Sequence, residues 1–160
     1  MSRFSLAEET RVIEAIAPCT GAAAAAGDYI NMKYVPRVAI VVHIAQGNAA
    51  TVALTIEQAK AAAGTDSKAI TEKVPIWANE DCAAGDVLSE KDKAVSFTTS
   101  AAVKNKIVVF QVDTDVLDKE NGFEWICVKA ALSNAANLIS AEYIVGDLRY
   151  GAQGTPSLIS

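Results

Sequence analysis

The 160-residue chain has few of the residues on which most catalytic and metal sites depend. It contains one histidine and three cysteines, and no two cysteines stand in a CxxC pair. Cys19, Cys82 and Cys127 are odd in number and far apart, which argues against a disulfide framework or a metal site. We interpret them as free thiols, buried or half-buried, in a reducing environment.

Positive charge and long apolar runs are also scarce. Lys and Arg number 14 against 19 Asp and Glu, a net charge of −5, whereas nucleic-acid binding needs clustered basic residues. No apolar run approaches the ~20 residues that span a bilayer. The acidic Glu8 and Glu9 stand where the apolar part of a signal peptide would begin. We therefore expect one domain with no nucleic-acid partner, no membrane partner and no signal peptide.

The strongest pattern lies in residues 104–132, which read as two strands joined by the acidic, glycine-containing connection DVLDKENG. Leu117 is the one apolar plug of that connection. Side chains two apart on a strand share a face. The pattern therefore predicts two matching buried faces: Val108, Phe110 and Val112 on the first strand; Ile126, Val128, Ala130 and Leu132 on the second.

Alternating apolar residues predict further strands at 29–32, 37–45, 49–58, 74–79, 94–100 and 138–145. Residues 37–58, with the turn Gln46-Gly47-Asn48, form the clearest predicted hairpin. Pro75 places its strand at an edge or a bulge, and 81–93 reads as a polar loop. The expected inward faces are Val38, Ile40, Val42 and Ile44; Ala50, Val52, Leu54 and Ile56; Val95, Phe97 and Thr99; and Ile139, Ala141, Tyr143 and Val145.

The two ends of the chain differ from this middle part. Ser5 and Glu8 fit a capping box that would start a short helix ending at Pro18, with a strand or an extended arm as the alternative. The alanine-rich run 20–27 reads as a link that lets the preceding residues move. We expect an N-terminal arm and link at 1–27, a sandwich domain at 28–150 and a tail at 151–160, which crosses the domain surface or reaches a neighbour.

About eight short strands, without regular alternation of strands and helices, predict an all-β fold. The expected architecture is an antiparallel β-sandwich, jelly-roll-like rather than a barrel, with an N-terminal arm or short helix.

The candidates for chemistry each have a simpler structural interpretation. His43 lies on the non-core face of a strand without a recognisable nucleophile or acid beside it. Trp77 and Trp125 could form a sugar-stacking platform, although packing is the default explanation for Trp125, which lies on a strand beside Phe123 and Cys127. The acidic run could suggest calcium, but a solvated turn explains it more simply: Asp113, Asp115, Asp118 and Glu120. We assign no catalytic, cofactor-binding or metal-ligating residue and expect no cofactor.

Several segments, in order, resemble a family of small proteins encoded near the capsid genes of tailed bacteriophages. They are VIEAIAP, DYINMKYVPRVAIVVHI, GNAATVALTIEQA, VPIWANED, IVVFQVDTDVLDKENGFEWICVKAAL and ISAEYIVGDLRYG. The resemblance implies a head decoration (capsid cement) protein, a non-enzymatic β-sandwich that binds the outside of an icosahedral shell. No catalytic residue carries over from it.

The resemblance implies the major capsid protein as partner, the virion surface as location and assembly in the host cytoplasm. Apolar residues at both ends, including Leu158 and Ile159, lead us to expect a homodimer or homotrimer with a terminus at the contact; the alternative is two frayed ends. The competing function is a carbohydrate-binding β-sandwich module, used for host attachment. A small glycoside-processing enzyme remains a third reading, because paired carboxylates meet only in three dimensions.

Overall fold

The computed structural model describes residues 4–148 and 150–160, which form two packed antiparallel β-sheets, so the predicted all-β sandwich is confirmed. Two short helices, α1 Leu6–Glu9 and α2 Gly151–Gly154, lie near the ends, and 3₁₀ turns at Thr114–Val116 and Lys119–Asn121 follow β10. The strands are β1 Arg11–Thr20, β2 Ala25–Ala26, β3 Ile30–Asn31, β4 Arg37–Gln46, β5 Ala53–Ala59, β6 Lys68–Ala69, β7 Val74–Asn79, β8 Ser89–Ala94, β9 Ser96–Thr98, β10 Asn105–Asp113, β11 Trp125–Ala130 and β12 Asn137–Gly146.

The strands form two layers. Sheet A has the order β1-β12-β4-β10-β7-β8, and sheet B has the order β2-β11-β5-β6, with β3 also on β11 and β9 also on β5. In sheet A, β4 pairs with β10 and β12, while in sheet B, β5 pairs with β9 and β11. The chain therefore crosses from sheet A to sheet B between β4 and β5. The β9–β10 connection crosses beside it on one side, and the β11–β12 connection crosses beside it on the other. This joint crossing gives the sandwich its jelly-roll-like character.

The core lies between the two sheets and is built from alternate residues of the long strands. The inward faces predicted for β4, β10 and β12 are confirmed, because every one of those side chains is buried. The same holds for Leu54 and Ile56 on β5, for Val52 just before it, and for Ile126, Val128 and Ala130 on β11. Thr99 is also buried as expected, whereas Ala50, Val95 and Phe97 are only half-buried. Fully burying one such aliphatic side chain contributes about 1.5–3 kcal/mol, so the alternation supplies most of the stability of the fold.

Residues 37–58 do not form the predicted hairpin, because β4 and β5 lie in different sheets. The turn after Gln46 carries the chain across the core instead of back along the same sheet. It passes so close to the loop before β12 that a Cβ on Gly47 would lie 2.5 Å from the Ala136 carbonyl oxygen. Alternation fixes which face of a strand is buried, not which strand it pairs with, and both arrangements satisfy the pattern.

The two strands of residues 104–132 also lie in opposite sheets, and their buried faces belong to one core. The connection between them forms the two 3₁₀ turns, with Leu117 buried as predicted. Leu132 was expected on the buried face, but it lies beyond the end of β11 and is 65% exposed. The inward pattern stops where the strand stops.

The segment 81–93 is only partly the predicted polar loop, since residues 89–94 form β8 at the edge of sheet A. Its sequence SEKDKA is charged, which is a common way to keep an edge strand from pairing with another chain. The strand expected at 94–100 is shortened to β9. A register shift between Val74 and Ile76 confirms the bulge expected at Pro75.

The N-terminal part of the chain belongs to the sandwich. The short helix expected to end at Pro18 covers only Leu6–Glu9 as α1, and Ser5 makes no side-chain cap hydrogen bond. Residues 11–20, expected within an arm, instead form β1 and pair with β12 along the edge of sheet A, with register shifts on either side of Ile16. Residues 25–26 of the link pair with β11. The expectation for residues 1–3 lies outside the described part of the chain.

The C-terminal tail packs on its own chain. Leu148, Ala152 and Leu158 are buried, and the Asn31 amide donates to the Leu158 carbonyl at 2.7 Å. The Arg11 guanidinium holds the tail against β1 by donating to the carbonyls of Ala152 (2.6 Å), Pro156 (2.8 Å) and Thr155. The premise that Leu158 needs a neighbouring subunit for burial is therefore wrong. Of the predicted apolar pair, only Ile159 stays exposed.

Candidate functional site

His43 lies on the outward face of β4 and is exposed. Its neighbours across the ladder are Ile107 on β10 and Ser140 on β12. General-base chemistry needs an orienting acid and a group to deprotonate, and these neighbours supply no carboxylate. The recess around His43 is small, about 80 Å³, and is walled mainly by Pro18, Leu138 and Ile139. The position is that of a surface histidine.

Three of the four carboxylates of the acidic run, those of Asp113, Asp115 and Asp118, face cations of the same chain. The Lys68 ammonium lies 2.6 Å from Asp118, and its hydrogen bond lowers the pKa of that carboxyl. Arg37 lies 3.9 Å from Asp113, and Lys119 lies 3.9 Å from Asp115. Within the described ranges, no group of three or more His, Cys, Asp or Glu side chains is placed to hold a metal ion. The arrangement is that of a turn held by ion pairs.

The two tryptophans do not form one platform. Trp77 lies on β7 of sheet A and Trp125 on β11 of sheet B. Both side chains are half-buried, and their sequence neighbours Ile76 and Ile126 point into the core. The two indoles therefore lie on opposite outer faces of the sandwich, and the shared sugar-stacking surface considered from the sequence is wrong.

The cysteines are free thiols, as the sequence predicts. Cys19 and Cys82 are half-buried, whereas Cys127 is fully buried. Burial raises the pKa of the Cys127 thiol from 9.0 to about 11. The thiolate is the reactive form of cysteine, so this raised pKa makes Cys127 a packing residue.

Lys106 is a buried charge that the sequence analysis missed. It is fully buried, and its ammonium donates to Gln46 Oε1 at 2.9 Å, to the Ser100 carbonyl at 2.7 Å and to Ser100 Oγ at 3.2 Å. Burial lowers the pKa of Lys106, and the nearby Glu80 carboxylate partly opposes that shift. All three ammonium hydrogens have acceptors, so the side chain ties β10 to β4 and to the segment after β9.

The outward face of sheet A carries a group of half-buried apolar residues on its central strands. We call its apolar residues on β4, β7, β10 and β12 the outer face of sheet A. One cross-strand row runs from Trp77 through Val109 to Val41. The half-buried members are Ala39, Val41, Ala45, Pro75, Trp77, Ile107, Val109 and Ile144.

Two carboxylates border this face on the β1 side. Glu14 on β1 lies directly opposite Glu142 on β12, and Glu142 in turn lies opposite Val41. Within residues 4–148 and 150–160, neither carboxylate has a hydrogen-bond or ion-pair partner. Like charges directly opposite each other on a ladder are destabilising. The pair would gain from a cation supplied by another molecule.

No protein-family model and no curated protein sequence matches this chain. None of the helices in the described ranges is long and apolar enough to cross a membrane. The functional argument therefore depends on the chemistry and placement of the chain's own side chains.

Proposed function

We propose that this chain is a non-enzymatic structural protein that binds the outer surface of an icosahedral bacteriophage capsid and stabilises the shell. The observation that supports the proposal most is the outer face of sheet A. The resemblance of the chain's segments to head decoration proteins gives the class of partner, and the β-sandwich agrees with the fold that this resemblance implies.

The central strands of sheet A are apolar on both sides. On β4, Val42 and Ile44 point into the core, while Ala39 and Val41 point outward. Strands that are apolar on both faces are typical of sheets covered on both sides. The row of Trp77, Val109 and Val41 is the part of this side best suited to a protein–protein contact. A capsid lattice would supply the missing cover.

The residues of this face also indicate where the binding energy lies. Trp77 belongs to the residue type most enriched in interaction hot spots, and it stands in the apolar row with Val109 and Val41. The unpaired Glu14 and Glu142 lie at the end of the same row. We therefore expect the capsid to present an apolar patch with Lys or Arg on the side that meets β1.

Affinity for a shell need not be high at each contact. A decoration protein that is itself a dimer or trimer engages several capsid subunits together, and such multivalency multiplies modest affinities. In this proposal the subunits meet at the corner where α1 contacts α2. Phe4 is 85% exposed there, and Leu6 and Ile159 are also exposed, so this corner offers apolar surface separate from the outer face of sheet A.

The matched tryptophans give the test. Trp77→Ala truncates a half-buried indole on sheet A, and Trp125→Ala truncates a half-buried indole on sheet B. Shells assembled without the protein, from the capsid protein encoded next to its gene, are mixed with each variant and sedimented. Trp77→Ala should lose at least about 2 kcal/mol of binding, roughly a 30-fold weakening, because it removes a hot-spot side chain. Trp125→Ala should bind as the parent does.

Both variants are first compared with the parent by thermal unfolding, so that a folding defect is not read as a binding defect. Equal binding by Trp77→Ala and the parent would overturn the assignment of this face. No binding of the parent protein to these shells would overturn the proposed function itself, and so would a gene that lies away from any capsid gene.

A further inference from the structure

Lys106 and Gln46 place an amine beside a carboxamide inside sheet A. Both side chains are buried, on the neighbouring strands β10 and β4. The Lys106 Nζ lies 2.9 Å from Gln46 Oε1. A C=O bond is about 1.23 Å long, so Nζ is at most about 4.1 Å from the carboxamide carbon. Reacting atoms held for attack are about 3–3.5 Å apart, so the amine is already close to that distance.

The carboxamide of Gln46 is held at both ends. Its Oε1 also accepts from Thr99 Oγ1 at 3.0 Å, and this hydroxyl accepts from the Val52 amide at 3.0 Å. The Thr99 hydroxyl is therefore placed to stabilise negative charge on Oε1, as a donor in an oxyanion hole does. The Gln46 Nε2 donates to the Ser100 carbonyl at 3.0 Å, and Lys106 Nζ donates to the same oxygen at 2.7 Å. The amine and the amide nitrogen thus meet at one acceptor.

A carboxylate is linked to the amine through one hydroxyl. Lys106 Nζ donates to Ser100 Oγ at 3.2 Å, and the Ser100 side chain is hydrogen-bonded to the Glu80 carboxylate. The Ser100 amide fixes this carboxylate by donating to Glu80 Oε2 at 2.7 Å, while Lys91 lies 3.7 Å from Glu80 Oε1. Burial lowers the pKa of Lys106, which favours the neutral amine. A desolvated lysine with a base in reach is an activated nucleophile.

We propose that Lys106 and Gln46 join spontaneously in an intramolecular isopeptide bond. The Lys106 ammonium passes one proton through the Ser100 hydroxyl to Glu80, and the neutral Nζ attacks Cδ of Gln46. The Nζ–Cδ bond forms, and Nζ gives a second proton to Nε2. The Cδ–Nε2 bond then breaks, Nε2 leaves as ammonia, and Glu80 returns its proton to solvent. Ser100 is exposed, so ammonia can leave on that side.

The bond would fasten the two central strands of sheet A to each other. β4 and β10 are neighbours in the middle of that sheet, and the chain's cysteines are free thiols, so no disulfide does this work. The alternative is a buried lysine held by hydrogen bonds alone. The two differ in covalent mass, because only the cross-link releases ammonia. The inference does not rest on shell binding.

The mass of the denatured full-length chain tests the proposal. The parent, incubated in mild alkali below its melting temperature, should become lighter than its sequence by one ammonia. A protease digest should contain one pair of peptides joined between Lys106 and Gln46. Lys106→Met removes the amine and should keep the full mass. Glu80→Gln should slow the reaction at least about 100-fold near neutral pH, and its rate should recover as the pH rises, because hydroxide then takes the proton.

Lys104→Met is the matched control. Lys104 lies two residues before Lys106, but its side chain is exposed and lies 3.2 Å from Asp81. This variant should lose ammonia as the parent does. Ammonia lost from an asparagine side chain would give the same total mass without the joined peptides. A parent that keeps its full mass, or that loses ammonia without this joined pair, would overturn the proposal. The digest of the parent decides even if Lys106→Met fails to fold.

Discussion

Tyr143 joins the two sheets through the middle of the core, and removing its hydroxyl should be costly. The side chain starts on β12 of sheet A and is fully buried. Its hydroxyl donates to the Asp28 carbonyl at 2.8 Å and accepts from the Val128 amide on β11 of sheet B at 3.2 Å. β2 and β3 pair with different parts of β11, and the tyrosine hydroxyl bonds to β11 in the interval between them. Burial raises the pKa of Tyr143, so the hydroxyl stays protonated.

Tyr143→Phe removes both hydrogen bonds and leaves two backbone groups, the Asp28 carbonyl and the Val128 amide, without these partners. A buried group left unsatisfied costs about 1–3 kcal/mol, partly offset because the hydroxyl itself need no longer be desolvated. We expect a loss of roughly 2–4 kcal/mol in the free energy of unfolding. Gly27 limits relaxation there, because its Cα is so close to the tyrosine that a Cβ would lie 2.8 Å from the hydroxyl oxygen.

Urea unfolding measures this loss. With a slope of about 1–3 kcal/mol per molar urea, the midpoint should fall by roughly 1 M or more. Tyr29→Phe is the matched control, because its partly buried hydroxyl bonds to side chains, Glu57 at 3.4 Å together with Cys127 and Ser67, and to no buried backbone group. That variant should lose less than about 1 kcal/mol. A loss below about 0.5 kcal/mol for Tyr143→Phe would refute the reasoning, since surface changes of no structural consequence fall in that range.

Two further changes test the core and the tail. Burial raises the pKa of the Cys127 thiol from 9.0 to about 11. As the pH rises above 9, the thiol therefore loses its proton in the unfolded chain before it does so in the folded chain, and the parent becomes less stable. Cys127→Ala removes this thiol, so the stability of the variant should decline less steeply above pH 9. The parent should therefore lose up to about 1.4 kcal/mol per pH unit more than the variant in this window, and parallel urea midpoints would contradict the assignment. Deleting residues 152–160 should lower the free energy of unfolding by at least about 2 kcal/mol, because it removes the buried Leu158. An unchanged melting temperature would mean that the tail does not pack as described.

The inward faces of the long strands were predictable, whereas their partners were not. Period-two alternation identified Phe110 and Tyr143 as buried without knowledge of the topology. The same alternation cannot tell a hairpin from a crossing between sheets, so β4 and β5 were paired wrongly. β8 has no apolar face, and its strand conformation comes from pairing with β7, which leaves no local signal. β1 was assigned to an arm because Pro18 and the alanine-rich link suggested breaks in regular structure.

The candidate sites depended even more on three-dimensional contacts. Lys106 stands two residues before Val108, so the alternation places both side chains on the inward face. Its acceptors, on β4 and in the segment after β9, could not be read from that spacing. The apolar outer face was visible in part, because Val41 and Val109 stand in runs that are apolar at successive positions. The cleft of about 460 Å³ at one end of the sandwich could not be predicted from the sequence, because residues 32–36, Thr114 and Glu124 come together only through the fold.

The edges of sheet A disfavour a partner that would add a strand to this sheet. β8 closes one edge with charged side chains, and β1 closes the other with Pro18 and two register shifts, features that hinder the addition of a further strand. Association through an added strand is therefore disfavoured at both edges, while the apolar centre with Trp77 stays partly exposed. A partner of sheet A would therefore contact the outward side of its central strands, and the proposed capsid binding uses that side.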